Sequence, residues 1–130
     1  MRTGVEATAE LVRRTAGAEL RPGLVVSLAT AGDLLQWHPH LHLLTTDGSF
    51  ASGDRLLPLP EWDAALLTSL FRERLLARLL DRHAISHELA RKLLAWRRPG
   101  FSAHVGEPIG RQHKQRLEDT LPTSCETPCP

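Results

Sequence analysis

The chain has 130 residues, a length that holds one domain with a modest core. Its 42% hydrophobic and 24% charged residues exclude wholesale disorder, and 16 basic against 15 acidic residues leave a net charge of +1, which points to no particular partner. No apolar run is long enough to span a membrane and the N-terminus lacks the apolar core of a signal peptide, so we expect a cytoplasmic protein.

The first third of the chain predicts one helix and two strands. Residues 5–20 have helical periodicity and predict an amphipathic helix, which Arg21-Pro22-Gly23 ends. Its apolar positions are Val5, Ala9, Val12 and Ala16. The apolar run 24–30, with its β-branched residues, predicts a buried strand, and a second strand follows over about 38–45.

A hairpin is predicted directly after the second strand. Asp47-Gly48 is typical of a two-residue turn, which would fold residues 49–52 back beside that strand. Prolines in the segment 53–60 then end the sheet.

The remaining part of the chain predicts two helices and a further strand. Leucines three or four apart over 61–83 predict an amphipathic helix, and Ser86 is placed to cap a second helix that Pro99-Gly100 ends. Residues 101–109 predict a strand, and a polar helix begins after it. We therefore expect an α+β domain with a mostly antiparallel sheet.

Three histidines alternate on the second predicted strand. His38, His40 and His42 project from one face, because side chains two apart on a strand point the same way. Leu41 and Leu43 then face the core. Neighbouring imidazoles can converge on one cation, whereas the simpler interpretation is a solvent face that happens to carry histidine. Three histidines in strict alternation, in a chain with 7, favour the metal site.

Two segments of this chain, 21–50 ("RPGLVVSLATAGDLLQWHPHLHLLTTDGSF") and 93–109 ("LLAWRRPGFSAHVGEPI"), resemble the central catalytic segment of rolling-circle insertion-sequence transposases of the tyrosine HUH class. The resemblance covers about 5–119. It implies that residues 1–119 form an incomplete HUH-endonuclease-like domain, with its sheet packed against helices. It also implies that His40 and His42 hold a divalent cation, Mg²⁺ or Mn²⁺.

The activity implied by the resemblance is nicking and joining of single-stranded DNA at transposon ends. The cation polarises a scissile phosphate, and a tyrosine attacks it to form a phosphotyrosine link. Two histidines underfill a six-coordinate ion, so a third ligand is expected. His38 is one candidate, with Asp33 and Gln36 as further ones; His104 could also face the site from the last strand.

The chain contains no tyrosine, so we expect an inactive fragment of such an enzyme. Residues 120–130 are rich in Pro, Thr and Ser and are expected to be disordered. One permitted choice of codons for Pro122 to Pro130 encodes Tyr-Leu-Met-Arg-Asp-Pro-Leu-Ser in another reading frame. We therefore interpret this tail as an out-of-frame remnant. Its two cysteines, Cys125 and Cys129, have no second pair and are expected to be bystanders.

Three further residues are weighed as DNA contacts or as structure, and two tryptophans are assigned to structure alone. Trp37 either stacks on an unpaired base or packs in the core. Arg74 and Arg78 either neutralise phosphates or form the solvated face of a helix. Trp62 and Trp96, near helix ends, are expected in the core.

Two other functions stay open. The alternating histidines also resemble the signature of histidine-triad nucleotide hydrolases, in which His40 would be the nucleophile, although that family carries its motif near the C-terminus. The second alternative is a non-catalytic module that binds metal and single-stranded DNA without cutting it.

Overall fold

The computed structural model describes residues 1–17, 20–31, 37–51, 55–59, 61–97, 100–110, 112, 113 and 115. In chain order these residues form α1 (Arg2–Ala16), β1 (Arg21–Ala31), β2 (Trp37–Phe50), β3 (Leu56–Pro58), α2 (Ala64–Asp81) and α3 (His87–Ala95). The strands make one antiparallel sheet in the order β1-β2-β3. The predicted α+β class with an antiparallel sheet is confirmed. The candidate ligands Asp33 and Gln36 and the tail 120–130 lie outside the described residues.

Helix α1 begins and ends earlier than the predicted range 5–20. Gly17 follows its last residue with a φ of 127°, a backbone angle that glycine adopts without steric cost. The buried face also differs from the predicted one, because Val5 is 40% exposed. The buried residues are Thr3, Gly4, Ala7, Thr8, Leu11 and Val12. Several of these are small, and small residues let the helix axis approach its neighbours closely.

Strand β2 runs through the predicted hairpin without turning. β1 starts at Arg21, so the Arg21-Pro22-Gly23 sequence begins a strand instead of merely ending a helix. Arg21 pairs with Phe50 and Pro22 with Ser49, and these pairs extend the ladder past Asp47-Gly48. The predicted two-residue hairpin is therefore wrong.

The chain reverses after Phe50 instead. The backbone N–H of Ala51 donates to the carbonyl of Arg55 at 2.9 Å, and β3 then pairs with the end of β2. The prediction that the whole segment 53–60 leaves the sheet is wrong for β3. Pro58 is tolerated there because β3 is an edge strand, where a missing N–H costs no ladder bond.

Both helices predicted for this part of the chain are confirmed, and each begins at a side-chain cap. The carboxylate of Asp63 accepts from the backbone N–H of Leu66 at 2.9 Å at the start of α2. Ser86 caps α3 as predicted, since its hydroxyl accepts from the N–H of Leu89 at 3.1 Å.

The core lies between α1 and α2. Ala7 and Leu11 of α1 pack with Leu70 of α2, and all three are buried. The half-buried side chains around them are Trp62, Leu66, Leu67 and Phe71. The core position of Trp62 is thus confirmed. The same prediction for Trp96 is wrong, because its side chain is 59% exposed.

Residues 101–110 form no strand, contrary to the prediction. The backbone N–H of Ala103 donates to the hydroxyl of Thr68 on α2 at 3.0 Å. The rings of Phe101 and Phe71 meet edge to face, 5.9 Å apart. Phe101 and Ala103 therefore lie against α2 and do not pair in the sheet. Among the described helices, none is both long and apolar enough to cross a membrane.

Candidate metal and DNA-binding site

The histidines lie on the face of the sheet that α1 does not cover. α1 contacts both β1 and β2. A Cβ built on Gly4 of α1 would lie 2.8 Å from a methyl of Leu41 and 3.8 Å from a methyl of Leu43, so these leucines point at the helix. His40 and His42, which alternate with them on β2, point to the opposite face, as predicted.

The three imidazole rings form a row along β2. The ring centroids of His38 and His40 are 5.1 Å apart, and those of His40 and His42 are 4.8 Å apart. The planes of the second pair are inclined by 67°. Two nitrogens bound to one octahedral ion lie about 3 Å apart, which rings at this separation allow.

A backbone contact distinguishes His40 from its two neighbours. Its Nδ1 lies 2.7 Å from the carbonyl oxygen of His38. Because a carbonyl only accepts, this bond places a proton on Nδ1 and leaves the lone pair of the neutral ring on Nε2. A backbone carbonyl is one of the usual hydrogen-bond partners of a metal-binding histidine, as are carboxylates and water.

No complete protein ligand set is present in the described part of the chain. No group of three His, Cys, Asp or Glu side chains comes together there in a way that could hold a metal ion. His104 lies in the segment that packs on α2. The histidine pair would therefore fill only part of the coordination shell of a six-coordinate ion. Water or phosphate oxygens would complete that shell.

The histidine face is open to solvent. His38 and His42 are exposed, His40 is half-buried, and the neighbouring Val25 is 52% exposed. Ser27 is the register partner of His42 on β1, and its hydroxyl oxygen is buried with no hydrogen-bond partner among the described residues. The sequence pattern did not indicate Ser27, because its position beside His42 follows only from the register between β1 and β2.

Trp37 begins β2 next to the histidines and is exposed. Its side chain is 79% accessible, so the alternative of a core tryptophan is wrong. An exposed indole beside a candidate phosphate-binding site offers a flat surface for a base.

Arg74 and Arg78 are engaged in ion pairs with α1. A guanidinium nitrogen of Arg78 lies 2.9 and 2.8 Å from the two carboxylate oxygens of Glu6, and Arg74 lies 3.3 Å from Glu10. Residue numbers rise on α1 as they fall on α2, so the two helices are antiparallel. The predicted DNA contacts of these arginines stay a prediction, and the ion pairs give both residues a structural role. The sequence feature that indicates this structural role is the spacing: the two glutamates lie four residues apart on α1, as the two arginines do on α2.

These ion pairs lower the pKa values of both glutamates. Burial acts to raise the pKa of Glu6, but hydrogen bonds and charge from Arg78 and Arg2 outweigh it, and the pKa lies below its ordinary 4.5. The hydrogen bond from Arg14 is the largest cause that lowers the pKa of Glu10, with the charge of Arg13 added, against an opposing effect of burial.

A comparison with known proteins gives the class. Residues 23–117 match the family described as "Putative transposase". None of the curated proteins and none of the solved structures matches the chain. The family match spans most of the chain, so this protein belongs to that transposase family, and DNA is its expected partner.

Proposed function

We propose that this chain supplies the metal-binding strand of a rolling-circle transposase of the tyrosine HUH class. Its substrate is single-stranded DNA at transposon ends, and its cofactor is Mg²⁺ or Mn²⁺. One observation carries the proposal: in a transposase-family chain, alternate histidines project together from an open sheet face, with the His40 and His42 rings 4.8 Å apart. Histidines that only stabilise the sheet would have no need to lie side by side on a face that is open to solvent.

His40 and His42 are the proposed metal ligands, and His38 is the candidate third ligand. The bond from Nδ1 of His40 to the backbone orients that ring, so its Nε2 is the ligating atom. Bound there, the cation would polarise a phosphate and stabilise the charge that builds on its oxygens. Imidazole ligands suit Mn²⁺ better than Mg²⁺.

We also propose that an extended DNA strand binds along the open face. Trp37 is proposed to stack on a base next to the metal-bound phosphate. Ser27, the register partner of His42, shares this face, but its hydroxyl oxygen is buried and is given no role in the DNA contact. Arg74 and Arg78 are assigned mainly to the α1–α2 contact, because Glu10 and Glu6 already hold them.

This 130-residue chain is proposed to bind metal and single-stranded DNA without cutting it. It has no tyrosine, so the nucleophile of the phosphotyrosine reaction is missing from it. The activity proposed for the chain itself is therefore that of the non-catalytic module, which binds metal and single-stranded DNA. The transposase family match gives no support to the nucleotide hydrolase alternative.

The metal site is tested by Mn²⁺ calorimetry on the chain and on the variant His40→Ala/His42→Ala. We expect binding to one site, lost in the double variant. His87→Ala, which removes an exposed histidine at the start of α3, is the matched control and should bind normally. A single-stranded DNA cleavage assay runs alongside. Unchanged Mn²⁺ binding by the double variant would contradict the metal site, and cleavage by the unmodified chain would contradict its inactivity.

The role of Trp37 is tested by substituting the two exposed tryptophans separately. Trp37→Ala should weaken binding of a short oligothymidylate by about tenfold, the value of one base stack. Trp96→Ala removes an exposed indole from the end of α3 and should leave affinity unchanged. Equal losses in the two variants would mean that the histidine face does not guide the strand.

A further inference from the structure

A second candidate binding site lies between α1 and the start of β1. It is a groove of about 430 Å³, within the range of small-molecule pockets, about 300–1,000 Å³. The residues that line it are Val5, Ala9, Arg13, Leu20, Arg21, Pro22 and Leu24. Since α1 covers the sheet face opposite the histidines, this groove is separate from the metal site.

The groove combines an apolar floor with a basic rim. Val5 and Ala9 lie one helical turn apart on α1, and Leu24 faces them from β1. Arg13 and Arg21 are the charged residues of the lining, and the lining contains no acid.

The two rim arginines differ in their partners. Arg13 shares the carboxylate of Glu10 with Arg14 and Arg74, so a single acid faces three guanidinium groups. Arg21 is exposed and forms no ion pair within the described residues. The rim therefore carries positive charge that the described carboxylates leave uncompensated, and an anion is the complementary ligand.

We infer that this groove takes one unpaired nucleotide of a DNA strand, with the base on the apolar floor and the phosphate on Arg21 and Arg13. A duplex presents phosphates but keeps its bases stacked inside, so it would leave the floor without a contact. A base turned out of the strand is held by stacking between apolar side chains, and its phosphate by arginine. The inference goes beyond the metal site and does not depend on it.

Fluorescence anisotropy tests the groove with a fluorescein-labelled oligothymidylate, in chelator, so that the metal site makes no contribution. We expect Arg21→Ala to weaken binding about fivefold and to reduce the slope of log K against log salt by about 0.7, the value of one single-strand phosphate contact. Arg91→Ala, which removes an exposed arginine from α3, is the charge-matched control and should change neither quantity.

The apolar floor has a test of its own. The unmodified chain should bind an oligonucleotide with abasic sites about tenfold more weakly than oligothymidylate. Ala9→Leu keeps the charge and a strong helix former but fills the floor, and in the Trp37→Ala background, where no base stacks on that indole, it should remove this difference. Equal effects of Arg21→Ala and Arg91→Ala, or an affinity for oligothymidylate that does not exceed the affinity for the abasic strand and for duplex DNA, would overturn the inference. His40→Ala/His42→Ala should bind the oligothymidylate at least as well as Arg21→Ala in chelator; a greater loss would assign the strand to the histidine face alone.

Discussion

The imidazole of His40 is restrained at one nitrogen and open at the other. Its Nδ1 is held by the carbonyl of His38, whereas no such bond is formed by His42 within the described residues. The sequence predicted that the three rings share a face, because that follows from strand periodicity alone. It could not predict which ring is oriented by the backbone, since this depends on the local course of β2.

Gly48 is required for close contact between β2 and β3. A Cβ at this position would lie 2.6 Å from the backbone carbonyl oxygen of Leu57, an atom that cannot move without shifting the strand. We expect Gly48→Ala to lower the free energy of unfolding by about 1–3 kcal/mol, the usual cost of overpacking. Urea denaturation followed by circular dichroism measures it.

Gly106→Ala is the matched control for that substitution. No atom lies within 4 Å of a Cβ at Gly106. Its effect should stay below about 0.5 kcal/mol, as for a substitution in open space. If the two alanine variants were equally stable, the paired edge formed by β3 and Gly48 would be wrong.

The same residue explains why the hairpin prediction failed. Asp47-Gly48 has the composition of a tight turn, and sequence alone cannot separate a glycine that turns from one that lets two backbones approach. The chain does not turn at Asp47-Gly48 because β2 stays paired with β1 beyond this point, through Ser49 with Pro22 and Phe50 with Arg21.

At the scale of elements, the helix starts follow from local chemistry. Asp63 accepts the N–H of Leu66 at the start of α2. Asp63→Ala should therefore lower the free energy of unfolding by about 1 kcal/mol, while Asp63→Asn, which keeps the cap, should cost little. Thermal or urea denaturation compares the variants. A loss as large in Asp63→Asn as in Asp63→Ala would show that charge, and not the cap, is what Asp63 contributes.

The position of α1 was less predictable than its existence. Its periodicity indicated a helix, but the apolar residues Val5 and Ala9 suggested a buried face that the structure instead places around the groove. The small residues Gly4 and Ala7 form the contact with other elements. Hydrophobicity alone underrates such residues, because they contribute close approach and little apolar area.

The ion pairs between α1 and α2 make the stability of the whole molecule sensitive to low pH. Glu6 and Glu10 have pKa values below the ordinary 4.5, so their folded forms favour the charged state. A lowered pKa contributes stability above the unfolded value, and this contribution is lost as the pH falls through the folded pKa. We expect stability to decrease as the pH falls below about 4.5.

The variant Glu6→Gln/Glu10→Gln should be less stable than the unmodified chain at pH 7 and should lose less of its stability on acidification. Urea midpoints across the acid range measure both effects. Glu88→Gln, which removes an exposed pair with Lys92 inside α3, is the control and should follow the unmodified chain. Parallel acid profiles for the unmodified chain and the double variant would assign the acid sensitivity to other groups.

For the molecule as a whole, the sequence predicted the fold class, the histidine face and the two later helices. These depend on periodicity and on caps, which are local signals. It mispredicted residues 101–109 as a strand, although Phe101 and Ala103 contact Phe71 and Thr68 of α2. Such tertiary contacts leave the same apolar pattern as a strand, so periodicity could not separate them.

The central claim is that one cation binds between His40 and His42. Substoichiometric Mn²⁺, which is paramagnetic, should broaden the ring-proton NMR signals of these two histidines, assigned by single substitutions, and leave that of His87 sharp. Addition of Mg²⁺ in excess should restore the signals. Broadening that is absent, or equal at His87, would contradict the claim.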